Sequence, residues 1–542
     1  MNRSSLSLLA VVTALAAVTG LAALTVPDDA PAPVATGAPA RLPVERSSLL
    51  CPAPSTSEVA DTVYSSFTPT GGGAGGSGRA ELRPSAATPG DSTTTGKAPA
   101  KDGKAPAKDG KDGSAEGGGD GAGAGSADGT KPSGAAKPAT ASAKAALTLT
   151  QPGKPVTAEA EGGDAPALIG TASGPLAPGW TTQQTTTVVA GSARGLLGVG
   201  CTAPDTDFWF PGASTAKERQ DYLHLTNPDD TANVVDIELY GPNGALKSDL
   251  TDGIPVPAGA SVPVLLSTLT GDAPAEDVTV HVTTRSGRVG AVLAAADDRF
   301  GSDWLSASAD PAGSLVLPGI PADATSVRLV VYAPGEDDAD LKIRLAGPSG
   351  TITPAGAESL RVKAGMTAAV DLKDITRGEA GSLLLTPSQP GRVTPVVAAL
   401  RVVRGRGDKQ EVAFIPATGP VGQRATVAGN QAKGTTLSLT APGATAQVRV
   451  TASAGSEGGA PATKTYTVKG GTTTALTAPP VPAGLKGTYA LTVETVSGGP
   501  VHAARTLEAP KDGIPMFTVQ PLADDRGTVA VPAAREDLSV LD

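Results

Sequence analysis

Residues that could do chemistry are few in this chain and lie far apart. Its 542 residues hold three histidines, His224, His281 and His502, each on a different β-prone run. None has a second histidine or a cysteine at metal-ligand spacing, so no zinc-type site is expected. No Gly-x-Ser-x-Gly elbow marks a nucleophile. Neither catalytic residues nor a cofactor or metal are therefore expected. The run Glu336-Asp337-Asp338-Ala339-Asp340 could offer carboxylates to Ca²⁺. Corresponding positions elsewhere in the chain do not keep those ligands, and a solvated turn is the plainer reading. Arg406-Gly407-Asp408 spells a cell-attachment tripeptide, but a three-residue match is common by chance.

Three tryptophans could stack on sugar rings. Trp209 aligns with apolar residues in related segments (Leu50, Val316, Phe414) and reads as core. Trp180 and Trp304 have no such counterparts and are the candidates for exposed ligand contact. Cys51 and Cys201 are the only cysteines. Two in a chain of this length suit an exported protein with one disulfide. Cys51 aligns with core positions of the first strand of a unit (Phe210, Leu317, Ile415) and Cys201 ends its last strand, so a bridge there would tie that unit shut. Two buried free thiols are the alternative.

What must position these residues is a repeat. Gly241-Pro242-Asn243-Gly244 returns as Gly347-Pro348-Ser349-Gly350, about a hundred residues later. Phe208-Trp209-Phe210-Pro211-Gly212 returns as Leu315-Val316-Leu317-Pro318-Gly319. Looser copies are Ala413-Phe414-Ile415-Pro416 and Leu49-Leu50-Cys51-Pro52. Within a unit, Val235-Asp236-Ile237-Glu238-Leu239 alternates, which sends the apolar residues to one face of a strand and the acids to water. Gly-Pro-x-Gly marks the turns between such strands. Short strands at this spacing predict an all-β chain of tandem immunoglobulin-like antiparallel sandwiches, each supplying its own core.

Four units are expected, at 41–203, 204–310, 311–410 and 411–542. A leader at 1–27 and a Pro/Ala spacer at 28–40 precede them. Residues 6–26 carry no charge and follow Arg3, a length sufficient to span a bilayer as an apolar helix. The reading is a retained signal anchor with Arg3 inside, the alternative a cleaved signal peptide. Cys51 lies too far beyond this run to be a lipidation site. Residues 70–144 are rich in Gly, Ala, Lys and Asp with almost nothing apolar, and are expected to be a disordered insert in the first unit. Its place is read as the loop equivalent to 228–233, with Leu147-Thr148-Leu149 equivalent to Ile237–Leu239.

A formal net charge of −10 argues against a general nucleic-acid role, because phosphate binding needs clustered Lys and Arg. The recurring Phe208–Gly212 segment, Asp221-Tyr222-Leu223-His224-Leu225-Thr226-Asn227-Pro228, Gly241–Gly244 and Gly419-Pro420-Val421-Gly422-Gln423-Arg424 resemble a family of exported proteins of high-GC Gram-positive bacteria known as a domain of unknown function. The resemblance covers most of the chain beyond the leader. It implies work at the cell envelope and brings no activity, cofactor or catalytic residue; the low-complexity insert departs from it.

The expected function is a non-enzymatic extracytoplasmic envelope protein, a membrane-tethered scaffold or stalk of sandwich domains. The alternative is a module binding cell-wall glycan or an envelope protein through sandwich loops and exposed tryptophan. An envelope hydrolase is a distant third. The expected location is the outer side of the cytoplasmic membrane, or secretion if the leader is cleaved.

Overall fold

The computed structural model describes residues 40–71, 76–86, 144–191, 193–248, 252–271 and 274–531. The apolar leader and most of the low-complexity segment lie outside these residues. Among the described residues no helix is long and apolar enough to cross a membrane. The chain divides into two units, one of residues 1–42 with 529–542 and one of residues 43–528. The described residues of the first, 40–42 and 529–531, belong to the paired strands Ala40–Pro43 and Thr528–Val531.

The larger unit contains eight main sheets, which pair into four β-sandwich-like bodies. Their topology repeats. In the second sandwich the opening strand Asp207–Ala213 pairs with Val278–Thr284, which pairs with Asn233–Gly241. The facing sheet runs Ser261–Leu265, Arg219–Thr226, Gly290–Asp297 and the closing strand Gly301–Leu305, all antiparallel. The alternation read from the sequence holds: Val235 and Leu239 are buried while Glu238 is exposed. In the third sandwich, Leu341, Ile343 and Leu345 are buried between exposed Lys342 and Arg344.

Opening strands of three sandwiches carry the same irregularity. Their registers shift after Pro211, Leu317 and Val427. Gly212, Gly319 and Gly429 sit at these shifts with φ of 95°, 89° and 75°. A β-bulge needs a residue tolerant of positive φ, and glycine supplies it without a Cβ clash. The first sandwich has no such glycine. Its opening strand, Arg46–Cys51, pairs in unbroken register with Leu168–Ser173.

Two expected boundaries are corrected. Lys409–Pro416 does not open the fourth unit; it pairs with Val397–Arg406 and closes the third sandwich. The fourth opens instead with Arg424–Asn430. The apolar Ala413-Phe414-Ile415-Pro416 resembles an opening strand because the closing strand is also buried on both faces. Second, Ala80–Pro84, inside the expected insert, is a strand. It pairs with Leu168–Ser173 and with Leu147–Leu149, and Leu82 is fully buried. Ala80–Pro84 therefore takes the place of Asn233–Gly241. Ala80–Pro84 pairs with Leu147–Leu149 as Asn233–Gly241 pairs with Gly244–Ala245 in the second sandwich, and residues 87–143 between them in sequence lie outside the described residues. A five-residue strand with alternating Glu81 and Arg83 is short enough to be lost within a polar segment.

The sandwiches do not form a stalk in which each unit keeps a separate core. Each opening strand lies on the closing sheet of the next sandwich. Leu50 sits over Gly290, where an added Cβ would stand 2.8 Å from it. Phe208 and Phe210 share a core with Ala399, Val403, Val412 and Phe414 of the third sandwich. The core of the third extends to Ala504, Phe517 and Val519 of the fourth. Ala428, on the opening strand of the fourth, packs with Ala490 on Phe67 of the first. That last contact returns to the start, so the four bodies form a closed ring. Closing strands Gly195–Gly200, Gly301–Leu305, Lys409–Pro416 and Phe517–Leu522 meet one another in the same cyclic order.

Candidate functional site

At the hub where the closing strands meet, the side chains are polar and sealed from water. Glu411 and Asp303 are each 0 % exposed. Strand alternation puts Glu411 on the face of Ala413 and Ile415 and Asp303 on the face of Leu305, opposite Val412 and Phe414 and opposite Trp304, which pack against the neighbouring sandwiches. Glu411 Oε1 accepts the Leu196 backbone N–H at 3.0 Å. Its Oε2 lies 3.8 Å from Arg194 Nε, and Arg194 Nη2 donates to the Gln410 carbonyl at 2.6 Å. Asp303 Oδ1 accepts the Gly198 N–H at 3.0 Å, and the Thr518 hydroxyl donates to both carboxyl oxygens at 3.2 and 3.1 Å. Burial pushes the Glu411 carboxyl up to about 8, against the pull of the Leu196 N–H and Arg194. The same cause raises Asp303 well above the ordinary carboxylate range. These two groups tie the second, third and fourth sandwiches to the first. Perturbed carboxyls often mark active sites. Here each is occupied by backbone N–H donors across a seam, which is what a structural clasp requires.

The disulfide expected between Cys51 and Cys201 is present, with the Cα atoms 4.4 Å apart. It joins the end of the first opening strand to the residue after the first closing strand, beside the backbone pairing of Leu50 with Thr202. Trp180 and Trp304, read as candidates for exposed contact, are only 5 % and 3 % exposed. Trp180 lies in the core of the first sandwich and donates its Nε1–H to Ser66 Oγ at 2.8 Å. Trp304 fills the seam between the first and second sandwiches with Leu197, Val199 and Val292. Neither offers a free indole face.

Trp209 is buried, as its alignment with apolar residues implies. It stacks on His281 at 3.6 Å between centroids and lies 5.5 Å from Tyr332. The His281 ring nitrogens stand 3.2 Å from Asp207 and Glu238 carboxylate oxygens. Asp205, Asp207, Asp310 and Pro311 border an open cleft of about 380 Å³ beside it. An imidazole held by two acids and stacked under an indole is fixed in place, which suits packing better than proton transfer. His224 meets Trp304 edge-on at 5.2 Å, and burial pushes its imidazole down to about 4. His502 Nδ1 donates to the Thr418 carbonyl at 2.9 Å.

The acidic run at 336–340 passes from a bend into the strand Ala339–Ala346. Asp338 accepts from Arg361 at 2.8 Å and from the Ala364 N–H at 3.1 Å. Among the described residues no cluster of His, Cys, Asp or Glu is arranged to hold a metal ion. Gly407 and Asp408 are the exposed tip of a hairpin in which Arg406 pairs with Lys409.

The profile of a family of unknown function, DUF5719, matches residues 156–479. The chain belongs to that family. The DUF5719 segment starts in the first sandwich at Val156, spans the second and third whole, and ends in the fourth after Thr472–Leu476. It contains both hub carboxyls and Cys201, but not Cys51. No curated protein and no solved structure matches the chain.

Asp303 and Glu411 were not singled out by sequence reasoning. The signal available was a single acid within an otherwise apolar strand, as in Glu411-Val412-Ala413-Phe414-Ile415.

Proposed function

We propose that this chain is a non-enzymatic envelope scaffold on the outer side of the cytoplasmic membrane, held there by residues 6–26, and that its sandwiches are of immunoglobulin-like kind. The observation that carries the reading is the buried Cys51–Cys201 disulfide in a closed ring of four sandwiches. Structural disulfides persist where the surroundings are oxidising. A ring whose seams bury its aromatic and acidic side chains makes a rigid body rather than a reactive cleft. High-GC Gram-positive origin, drawn from the resemblance, fits the same location.

Cell fractionation with N-terminal sequencing tests the placement. An intact Met1 in the membrane fraction, with the disulfide oxidised in cells, is expected. A mature protein starting beyond residue 23 in the medium would make it a released protein. Recovery in the cytosol with both thiols free would defeat the proposal. Reduction, or Cys51→Ser with Cys201→Ser, is expected to cost ~2–5 kcal/mol in urea unfolding.

A further inference from the structure

Asp310–Pro311 is the only Asp-Pro bond among the 542 residues. It follows the closing strand Gly301–Leu305 of the second sandwich and precedes Leu315–Ile320, which opens the third. Both residues border the open cleft of about 380 Å³ beside Trp209, and Asp205 and Asp207 border the same space. All three aspartates are exposed. The backbone around the bond is pinned. Ser308 N–H donates to the Trp209 carbonyl and Ala309 N–H to the Ala417 carbonyl, each at 2.8 Å, and Ala312 N–H donates to the Val396 carbonyl at 3.1 Å. Asp205 is held to Val289 by a reciprocal backbone pairing at 2.9 and 3.0 Å. The Asp207 carboxylate is engaged with His281 Nε2 at 3.2 Å. Asp205 Oδ1 accepts a local backbone N–H, that of Thr206, at 2.8 Å.

An Asp-Pro bond is chemically weak. The aspartate carboxylate can close a ring onto its own main-chain carbonyl. Proline has no N–H, so the competing ring, a succinimide through the following backbone nitrogen, does not form. What such a bond lacks in free solution is a proton donor fixed beside the leaving nitrogen. A cleft that holds a second acid in place supplies one, and fixed geometry replaces a chance encounter.

We propose that Asp310–Pro311 is a self-cleavage site, with Asp310 as the nucleophile and Asp205, in its carboxylic acid form, as proton donor. The Asp310 carboxylate adds to its own main-chain carbonyl carbon. The bond to the Pro311 nitrogen breaks, and the nitrogen leaves with the bonding pair and takes the Asp205 proton. Solvent water opens the remaining cyclic anhydride into the α- and β-carboxyls of a new C-terminus, and one proton released there returns to Asp205. A carboxylate and a carboxylic acid are needed together, so the reaction belongs to mild acid and stops at neutral pH. The product is a two-chain ring. Residues 1–310 and 311–542 stay associated, because Phe208 and Phe210 share a core with Val412 and Phe414. The Cys51–Cys201 bridge lies within the first piece. The inference goes beyond the scaffold reading, since the chain acts once, on itself.

The test uses the full-length protein held at ~pH 4, where carboxyl groups titrate. Denaturing mass spectrometry should show pieces ending at Asp310 and starting at Pro311, while size exclusion under native conditions shows one unchanged particle. Cleavage should run on the order of 10²-fold faster in the folded chain than in the same chain unfolded in urea, the usual contribution of a positioned general acid. Asp310→Asn should abolish the pieces, and Asp205→Asn should slow cleavage toward the urea rate. The folded-against-urea comparison needs no variant and decides the matter if Asp205→Asn does not fold. No cleavage at this bond, a folded rate no higher than the urea rate, or a rate unchanged in Asp205→Asn would each overturn the proposal.

Discussion

The seam between the second and third sandwiches differs in kind from the seam between the fourth and the first. In the former, Phe414 and Val412 enter the core of the neighbouring body, and Arg219 lies over the Phe414 ring at 5.5 Å. Arg328 grips Asp277 through Nε at 2.8 and 3.0 Å beside it, and Thr367 donates to the Tyr240 carbonyl at 2.7 Å. In the latter, the apolar clusters are small: Phe67 with Ala428 and Ala490, and Leu196 with Leu507 and Met516, edged by Ala509 and Ile514. Beside them run amide and guanidinium hydrogen bonds: Gln520 to Gln183, and Arg424 Nη2 to the Pro178 carbonyl at 3.4 Å. The second sandwich fuses its core with the third and the third with the fourth, while the first and second meet in a separate small cluster around Trp304. The seam that joins residues 337 positions apart relies on directional hydrogen bonds. Apolar burial supplies strength without direction. Hydrogen bonds add little net energy each but penalise any wrong register.

The largest effect is expected at the fused seam. Phe414→Ala should cost ~3–5 kcal/mol, because the ring is buried in the cluster that joins the second and third sandwiches and its loss leaves a cavity there. Urea unfolding should show one cooperative transition at lower midpoint. A separate early phase confined to the second sandwich would show that the seam is not part of one cooperative core.

The hub comes next. Glu411 binds its proton more tightly folded than unfolded, where its pKa is ~4.3. Its contribution is full below that value and is lost as pH rises through about 8. Unfolding free energy should therefore fall across this window, on the order of 3 kcal/mol by neutrality. Glu411→Gln should flatten the slope. A wild-type curve that rises from pH 5 to 8 would place the charge elsewhere.

The closing seam is expected to give less. Gln520→Ala strands the Arg505 and Gln183 partners and should cost ~1–3 kcal/mol. Hydrogen exchange should accelerate first in Arg424–Asn430 and Ala60–Phe67, ahead of strands at the second–third seam. Equal protection at both seams would erase the contrast.

The strands were legible in sequence because alternation is local. Val235 and Leu239 state their burial through their neighbours Asp236 and Glu238. The ring was not, because it depends on the outer faces of sheets, whose apolar residues look like a second core. Phe414 illustrates this: an apolar closing strand imitated an opening one, while the true counterpart, Val427-Ala428-Gly429, matched only in its bulge glycine. Trp304 lacked a partner in the other copies and so resembled a surface contact. It is unmatched because its surroundings, the Leu197 and Val199 side of the first sandwich, occur once. Glu411 carries only a faint local signal, an acid heading an apolar run, and Asp303, in Gly301-Ser302-Asp303-Trp304-Leu305, carries none that distinguishes a buried acid from a solvated one.

Because each opening strand rests on the following sandwich and the fourth rests on the first, the number of copies is fixed by geometry. An open solenoid can gain or lose a unit by gene duplication and stay folded, since its ends are free. Here a fifth copy would have no vacant sheet to cover, and a loss would leave one fused core bare. Divergence in such a chain is channelled into the hairpins that point away from the hub.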